Sequence, residues 1–213
     1  MIKCIIFDFD GVIAETDEGR FQLLSEILID YNINLLKDFH YSDTVGISTY
    51  SFLKLHYGKN LSDFDIENIV DRRSDKYLKN LNKFCSPIPG AIKTIIDLKN
   101  KSHELYICTT NDEIIINTLL QYLKIVKYFS RVFPRNEIKI KGSLLKNYRY
   151  VLDEVNCDIS DSLVIEDSEI GVKSALVIGA LTVHFGSKKI DIVDDNLIHA
   201  SNYNELNKLI ASI

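Results

Sequence analysis

Residues 1–16, MIKCIIFDFDGVIAET, decide the fold of the chain. The apolar run Cys4–Phe7 leads directly into Asp8, and Asp10 follows just before Gly11. A short apolar run bounded by turn residues is typical of a strand that is buried on both faces of a parallel sheet. Two carboxylates one residue apart at the end of such a strand repel each other unless a cation lies between them. We therefore predict that Asp8 and Asp10 belong to a cation-dependent site, with the start of an ordinary loop as the alternative.

After Pro87 the sequence alternates between the patterns of strands and helices. Apolar runs predict strands at 104–109, 131–133, 163–166, 181–185 and 197–200. Apolar residues at helical spacing predict helices at 90–100, 112–123, 144–155, 170–178 and from 202 to the end. Strands that alternate with helices are joined by right-handed crossovers into one parallel sheet. The first strand belongs to that sheet, so we predict an α/β fold with a doubly wound parallel sheet.

The residues between the first strand and Pro87 show a different pattern. Helical periodicity covers 17–31, a short segment after Ser48, and 61–81. A stretch rich in proline and glycine, 87–90, then interrupts the chain. We predict two domains: an α/β core made of residues 1–16 and 84–213, and an all-helical cap domain, 17–83, inserted after the first strand.

The composition is that of an ordinary globular protein with a slight acidic excess. The 213 residues carry a formal net charge of −5, with 46% hydrophobic and 26% charged residues. This charge gives no electrostatic footprint for nucleic acid and no polybasic signal for a membrane surface. No basic-then-apolar leader opens the sequence, and no apolar run approaches ~18 residues. We therefore expect a cytoplasmic protein, a monomer by default, that binds neither nucleic acid nor membranes.

The four cysteines show no metal-binding or redox spacing. They are Cys4, Cys85, Cys108 and Cys157. Cys4 and Cys108 fall inside apolar runs that predict strands, where a free thiol behaves as a small apolar side chain. We expect buried thiols rather than metal ligands or disulfides, which agrees with a reducing cytoplasm.

Two further predicted strands end in polar clusters. Thr109, Thr110 and Asn111 follow the run LYIC, and Glu166, Asp167 and Ser168 follow the run LVI. Open α/β sheets bind ligands beyond the carboxyl ends of their strands. The hydroxyls and free N–H groups of the first cluster suit a phosphate oxygen, with a structural helix N-cap as the alternative.

The acidic cluster predicts a magnesium site. With Asp8 and Asp10, the carboxylates of Glu166 and Asp167 bring four negative charges to one edge of the sheet. A hard dication with oxygen ligands relieves their repulsion, and Mg²⁺ is bound in this way by few carboxylates and several waters.

An anionic substrate beside these carboxylates also needs a cationic partner. The lysines between the two polar clusters are Lys139, Lys141 and Lys146. Lys141 precedes Gly142 just ahead of a predicted helix, which is the best placement for reaching the site. A solvated lysine is the ordinary alternative for each of the three.

These motifs resemble those of the haloacid dehalogenase superfamily, in the branch whose helical cap follows the first motif. DFDGVIAET (8–16) resembles the nucleophile motif DxDG(V/T), and VIEDSEIGVKSALVIGA (164–180) matches the acidic motif. Thr109 fits the hydroxyl motif, and Pro89-Gly90 matches the return from the cap to the core. The likeness covers essentially the whole chain. It is nearest to β-phosphoglucomutase-like and phosphoglycolate-phosphatase-like members.

The resemblance implies phosphoryl transfer through an aspartyl phosphate. Asp8 would attack phosphorus, and Asp10 would act first as general acid and then as general base. Mg²⁺ would be held by Asp8, the backbone carbonyl of Asp10 and Asp167, with Glu166 acting through water. The phosphate would be bound by Thr109, Thr110, Asn111 and Lys141. Lys141 is the best match to the family's lysine motif, although Gly142 replaces the proline that often follows it.

Departures from the mutase pattern favour simple hydrolysis. Thr16 is retained, but Arg20 replaces the histidine that mutases have four residues later, and Thr49 stands where a cap arginine is expected. Arg73 replaces a cap lysine in a loose alignment. Thr16, Arg20 and Arg73 are therefore our candidate substrate-binding residues of the cap.

We predict a Mg²⁺-dependent phosphatase that acts on a small phosphorylated metabolite of the sugar-phosphate kind. The first alternative is a phosphosugar mutase similar to β-phosphoglucomutase. The second is a non-catalytic module that binds a phosphorylated ligand or a protein. Degenerate members would be expected to lose Asp8, Asp10 or Asp167, and all three are intact.

Overall fold

A computed structural model of the protein describes residues 2–44, 47–138 and 146–213. The chain divides into two compact units. The first unit contains Met1–Ala14 and Pro87–Ile213, and the second contains Glu15–Ser86. None of the helices in the described ranges is long and apolar enough to cross a membrane.

The first unit is built on a parallel sheet. The strands of the described residues are β1 Cys4–Phe7, β2 Ala14–Glu15, β3 Ser86–Pro87, β4 Glu104–Cys108, β5 Arg131–Phe133, β6 Ser162–Glu166, β7 Leu181–Phe185 and β8 Leu197–Ala200. Six of them form one sheet in the order β5-β4-β1-β6-β7-β8, with every neighbouring pair parallel. Strand β1 lies between β4 and β6 and is buried along its whole length, as its apolar run predicts.

The second unit is helical. Its helices are α1 Asp17–Leu28, α2 Leu35–Asp38, α3 Thr49–Tyr57, α4 Asp63–Lys79 and α5 Leu81–Phe84, with 3₁₀ turns at Ile29–Tyr31 and Tyr41–Thr44. The predicted helix over 17–31 ends early, because the chain tightens into a 3₁₀ turn after Leu28 and Asn32 adopts a left-handed conformation (φ 58°). The chain enters and leaves this unit through the small sheet formed by β2 and β3.

This helical unit has an apolar core of its own. Buried side chains of α1, α3 and α4 pack together: Phe21, Leu24, Ile27, Leu28, Phe52, Leu53, Ile66 and Ile69. Helix α4 begins with a capping box, in which Ser62 Oγ accepts a hydrogen bond from Asp65 N (3.1 Å) and Asp65 Oδ2 accepts one from Ser62 N (3.0 Å). These features stabilise the unit from within.

Helices of the first unit alternate with the strands of the large sheet, and the last helix follows β8. They are α6 Ala91–Asn100, α7 Glu113–Tyr122, α8 Arg135–Ile138, α9 Tyr148–Glu154, α10 Glu169–Leu176 and α11 Tyr203–Ser212, with 3₁₀ turns at Val126–Tyr128 and Ile159–Asp161. The predicted helix over 144–155 corresponds to α9, and its first two residues lie outside the described part of the chain. The predicted α/β fold with a doubly wound parallel sheet is confirmed.

The cysteines differ in part from expectation. Cys85 and Cys108 are free and buried, as expected. Cys4 and Cys157, however, form a disulfide with a Cα–Cα distance of 6.7 Å, so the expectation of buried thiols is wrong for this pair. The reason is topological. Cys4 begins the central strand, its register partner on β6 is Ser162, and the loop that leads into β6 carries Cys157 past the start of β1.

Candidate active site

Three strand ends bring the predicted site residues together. Phe7 is in register with Ile107 on β4 and with Ile165 on β6, so the residues that follow emerge side by side at the carboxyl edge of the sheet. Asp8 N donates to Ile165 O (2.9 Å), which holds Asp8 next to Glu166. This edge is where open α/β sheets place their ligands.

Asp8 is buried and fixed on both carboxylate oxygens. Its Oδ1 accepts a hydrogen bond from Phe9 N (2.6 Å), and its Oδ2 lies 2.7 Å from Lys146 Nζ. Lys146 is itself buried and also pairs with Glu166. A buried lysine between two carboxylates provides a fixed positive charge beside Asp8.

The electrostatics of this pair follow from burial and charge. Burial raises the pKa of Asp8 to about 8, while the charge of Lys146 opposes the rise and those of Glu166 and Asp10 add to it. Burial lowers the pKa of Lys146, but the charges of Asp8 and Glu166 outweigh that effect and leave its pKa above the ordinary value. Lys146 is therefore protonated at neutral pH.

Glu166 is fully buried and has a hydrogen-bond partner at every acceptor position. Its Oε1 accepts from Lys146 Nζ and from Tyr148 OH (2.8 Å), and its Oε2 accepts from Ser168 N (3.1 Å) and Ser168 Oγ (3.0 Å). Gly171 makes room for it, because a Cβ there would lie 2.1 Å from the Glu166 carboxyl carbon. A carboxylate with four such donors positions its neighbours better than it binds a cation directly.

An acidic group suited to a metal ion lies at the same edge. Carboxylate oxygens of Asp8, Glu166 and Asp167 all lie within 4.8 Å of one another. Gly11 keeps this space open: its φ is +71°, and a Cβ on it would lie 2.1 Å from Asp167 Oδ2. An all-oxygen, strongly acidic donor set fits Mg²⁺. Asp10 is not among these three side chains, which leaves its carboxylate for another role.

Asp10 is oriented by the polar cluster after β4. Its Oδ2 accepts a hydrogen bond from Asn111 Nδ2 (2.8 Å). Thr109 Oγ1 accepts from Asn111 N (3.2 Å) and Asn111 Nδ2 (3.1 Å), so its own proton is available for donation to an oxygen of a ligand. Thr109 and Asn111 are buried, whereas Thr110 is exposed.

The lysine candidates are only partly described. Lys139 and Lys141 lie outside the described residues. Within the described residues, Lys146 contacts Asp8. The sequence favoured Lys141 because of the adjacent glycine. Lys146 has a comparable signal: Asn147 follows it and caps α9 by accepting a hydrogen bond from Tyr150 N (3.1 Å), so that Lys146 also comes directly before a helix.

Other residues of the site were not predicted. Tyr148 and Ser168 hold Glu166, and His184 on β7 contacts the backbone of Asp167, with 3.1 Å between His184 Nε2 and Asp167 O. Ser168 was named in the polar cluster after LVI but was given no role, which its position as the N-cap of α10 could have indicated. His184 had only one signal in the sequence, namely a polar residue inside the apolar run LTVHF.

The candidate substrate-binding residues of the cap lie in the second unit. Thr16 is buried at the start of α1, and Arg73 is half-buried on α4. The guanidinium of Arg20 stacks 4.7 Å from the ring centroid of Tyr77, within the same unit. A substrate role for these three residues stays a prediction.

Comparisons with known proteins show the family of the chain. The sequence profile described as haloacid dehalogenase-like hydrolase matches residues 5–185. The chain belongs to this family. It is 21% identical to a phosphoglycolate phosphatase of Agrobacterium fabrum (strain C58) over 194 residues, which cover 89% of this chain and 83% of that protein. It is 22% identical to a phosphorylated carbohydrates phosphatase of Thermotoga maritima over 174 residues, 82% of this chain and 80% of that protein.

The fold of this hydrolase is also found in solved structures. A crystal structure of β-phosphoglucomutase from Clostridium difficile superposes with a TM-score of 0.78 at 20% identity, covering 100% of this chain and 96% of that one. The family match and the two phosphatase relatives confirm the predicted superfamily and the prediction of an enzyme of the phosphatase type.

Proposed function

We propose that this hydrolase is a Mg²⁺-dependent phosphatase that cleaves a small phosphomonoester, such as a sugar phosphate, through an aspartyl phosphate on Asp8. One observation carries the proposal. The Asp8 carboxylate lies in an acidic group with Glu166 and Asp167 and is also 2.7 Å from a buried lysine. An acidic nucleophile beside both a cation-binding group and a fixed ammonium suits attack on a phosphate ester.

Asp8 is the residue that we assign to nucleophilic attack. Phe9 N and Lys146 Nζ each hold one of its oxygens, so the carboxylate has a fixed orientation. In the first step a bond forms between an Asp8 oxygen and phosphorus, and the bond from phosphorus to the leaving oxygen breaks. In the second step water attacks the same phosphorus and the bond to Asp8 breaks, which releases inorganic phosphate and restores the carboxylate.

Asp10 is the residue that we assign to proton transfer. Asn111 Nδ2 holds its Oδ2 at 2.8 Å and keeps the carboxyl group in place two residues from the nucleophile. It donates a proton to the leaving oxygen in the first step and removes one from the attacking water in the second. Such a group contributes about 10²–10⁴-fold to the rate.

Charge on the transferred phosphoryl group is balanced by residues around Asp8. Lys146 provides a positive charge and Thr109 a hydroxyl donor, and donors of this kind stabilise phosphoryl transfer. Mg²⁺, held by the carboxylates of Asp8 and Asp167 with Glu166 behind them, supplies further positive charge when it is bound. We assign Lys146 this role in place of Lys141.

The partners in this proposal are small phosphorylated metabolites. The names of the two phosphatase relatives support a substrate of this size and charge. Cytoplasmic location, a monomeric state and the absence of nucleic-acid or membrane binding stay predictions. In a reducing cytoplasm Cys4 and Cys157 would be held as thiols, so their oxidation state in the cell tests the location.

Phosphate release from a substrate panel tests the proposal. The panel contains sugar phosphates, nucleotides and phosphoglycolate, each with and without Mg²⁺, and the control variant is the nearly isosteric Asp8→Asn. We expect Mg²⁺-dependent release that falls at least about 10⁴-fold in Asp8→Asn. Release that survives this substitution would contradict an aspartyl phosphate on Asp8.

The same experiment separates the alternatives. Interconversion of sugar phosphate isomers without net release of phosphate would support a mutase. Binding of a phosphorylated ligand that is unchanged in Asp8→Asn, with no turnover across the panel, would support a non-catalytic module.

A further inference from the structure

A chain of polar side chains crosses three neighbouring strand ends beside the acidic group. His184 on β7 is in register with Glu166 on β6, and His199 on β8 is in register with His184. His184 Nε2 lies 3.1 Å from Asp167 O, the two Nδ1 atoms lie 3.1 Å apart, and His199 Nε2 lies 3.2 Å from Ser201 Oγ. The chain therefore runs from the backbone of Asp167 to a hydroxyl at the surface.

The chemistry of these contacts fixes where the protons lie. A carbonyl oxygen only accepts, so His184 Nε2 carries a proton and donates it to Asp167 O. In a neutral ring the Nδ1 of His184 is then an acceptor, and it accepts from the Nδ1–H of His199. The Nε2 of His199 is left to accept from the Ser201 hydroxyl. Every ring nitrogen thus has a partner in one consistent arrangement.

The position of Asp167 connects these hydrogen-bonded side chains to the acidic group. Asp167 joins the end of β6 to Ser168, the N-cap of α10, and its carboxylate lies in the group with Asp8 and Glu166. Its Oδ2 occupies the space left by the missing side chain of Gly11. A donor that holds the Asp167 carbonyl fixes the peptide plane, and so it fixes the direction in which the carboxylate leaves the backbone.

We propose that His184 is a positioning residue that orients Asp167 for binding of the divalent cation. His199 and Ser201 act behind it by holding the ring in the tautomer that donates to Asp167 O. The proposal rests on the proposed function, because it assumes a cation at the acidic group. Hydrogen-bond partners one step behind a metal ligand typically change metal affinity by about 10–100-fold when they are removed.

Titration of the metal-free protein with Mg²⁺ and Mn²⁺, by calorimetry and without substrate, tests the proposal. The variants are His184→Leu, which removes the donor, and His184→Gln, whose amide nitrogen restores one near the Nε2 position. We expect the ion to bind about 10-fold more weakly or worse to His184→Leu. We expect His184→Gln to recover most of that loss, a rescue that a merely structural role would not produce.

His103→Leu is the matched control. His103 Nδ1 lies 3.0 Å from Ile2 O, also a contact between an imidazole and a carbonyl, but at the start of β4 rather than at its carboxyl end. We expect its cation affinity to equal that of the wild type. In phosphatase assays the Mg²⁺ concentration for half-maximal rate should rise in His184→Leu, while the rate at saturating Mg²⁺ changes less.

A second variant keeps the test decisive if His184→Leu does not fold. His199→Leu removes the donor to His184 Nδ1 at an exposed residue, and we expect a loss of cation affinity of a few fold in the same direction. Wild-type affinity in His184→Leu would overturn the proposal, as would wild-type affinity in His199→Leu alone if His184→Leu is unfolded. No ion binding by the wild-type protein would overturn the proposed function as well, so the two failures are distinguishable.

Discussion

Gly11 occupies a position that allows no side chain. Its φ of +71° is costly for any residue with a Cβ, and that Cβ would lie 2.1 Å from Asp167 Oδ2. We predict that Gly11→Ala displaces the Asp167 carboxylate, lowers the phosphatase rate at least about 10-fold and weakens cation binding. Assays of rate and cation affinity test this.

Gly179→Ala is the control that separates strain from displacement. Gly179 has a φ of +78°, but nothing lies within 4 Å of the position of its Cβ. Both substitutions impose a left-handed conformation on alanine, at about 1–2 kcal/mol each, and only Gly11→Ala should affect the site. Equal rates and affinities in the two variants would contradict a special role for the space above Gly11.

Lys146 should matter more to the reaction than the other candidate lysines. We predict that Lys146→Met lowers kcat about 10²–10³-fold, because a buried positive charge 2.7 Å from Asp8 Oδ2 is lost from the charge-stabilising group. Lys141→Met is the comparison variant, and we expect a much smaller loss. A larger loss in Lys141→Met than in Lys146→Met would return the phosphate-binding role to Lys141.

The raised pKa of Asp8 predicts that the stability of the ion-free protein depends on pH. Burial raises its pKa from 3.8 to about 8, so between these values the folded state holds a proton that the unfolded chain has released. Stability therefore falls as pH rises through this window, and a cation that binds the ionised carboxylate offsets the fall. We expect Mg²⁺ to raise Tm more near pH 8 than at about pH 5. Asp8→Asn should remove the difference, and a Mg²⁺ effect that is independent of pH in the wild type would contradict the prediction.

At the scale of elements, strands β1 and β6 could be predicted because their sequences are typical of strands that are buried on both faces of a sheet. Both are short apolar runs that end in carboxylates, and burial on both faces in a parallel sheet requires that pattern. The polar residues of the site followed from the same rule, since the carboxyl ends of parallel strands share one edge. Asp8, Asp10, Thr109 and Glu166 were found in this way.

Contacts that depend on the path of a loop could not be predicted. Cys4 and Cys157 are 153 residues apart, and no spacing rule connects a strand start to a loop so far along the chain. The choice among Lys139, Lys141 and Lys146 stays a prediction, because the first two lie outside the described residues, while Lys146 lies next to Asp8 just before α9. His184 was missed since its partner is a backbone carbonyl, which carries no sequence signal.

The disulfide between β1 and the loop after α9 should stabilise these elements. We predict that Cys157→Ser, or reduction of the wild type, lowers the free energy of unfolding by about 2–4 kcal/mol, because a long loop is no longer closed in the unfolded chain. Chemical denaturation with and without reductant measures the difference. The Cys157→Ser variant should not respond to reductant, and a wild type that is equally insensitive would show that the bond is not formed in solution.

At the scale of the whole molecule, the helical unit interrupts the sheet between its first strand and all the others. Residues 15–86 lie between β1 and the remaining strands of the large sheet, and the helical unit has an apolar core of its own. The sheet, in contrast, depends on contacts between distant parts of the chain. Cys4 is in register with Glu104 on one side and with Ser162 on the other.

This arrangement has a consequence for the order of events during synthesis. The strand that leads into Asp8 is made before both of its neighbours on the sheet, whose paired residues follow Cys4 about 100 and about 158 residues later. The helical unit is complete before either neighbour exists. Until β6 arrives, one edge of β1 has no strand beside it, and an unpaired apolar edge invites association with other chains. A nascent chain that stalls before residue 162 would therefore be expected to bind chaperones.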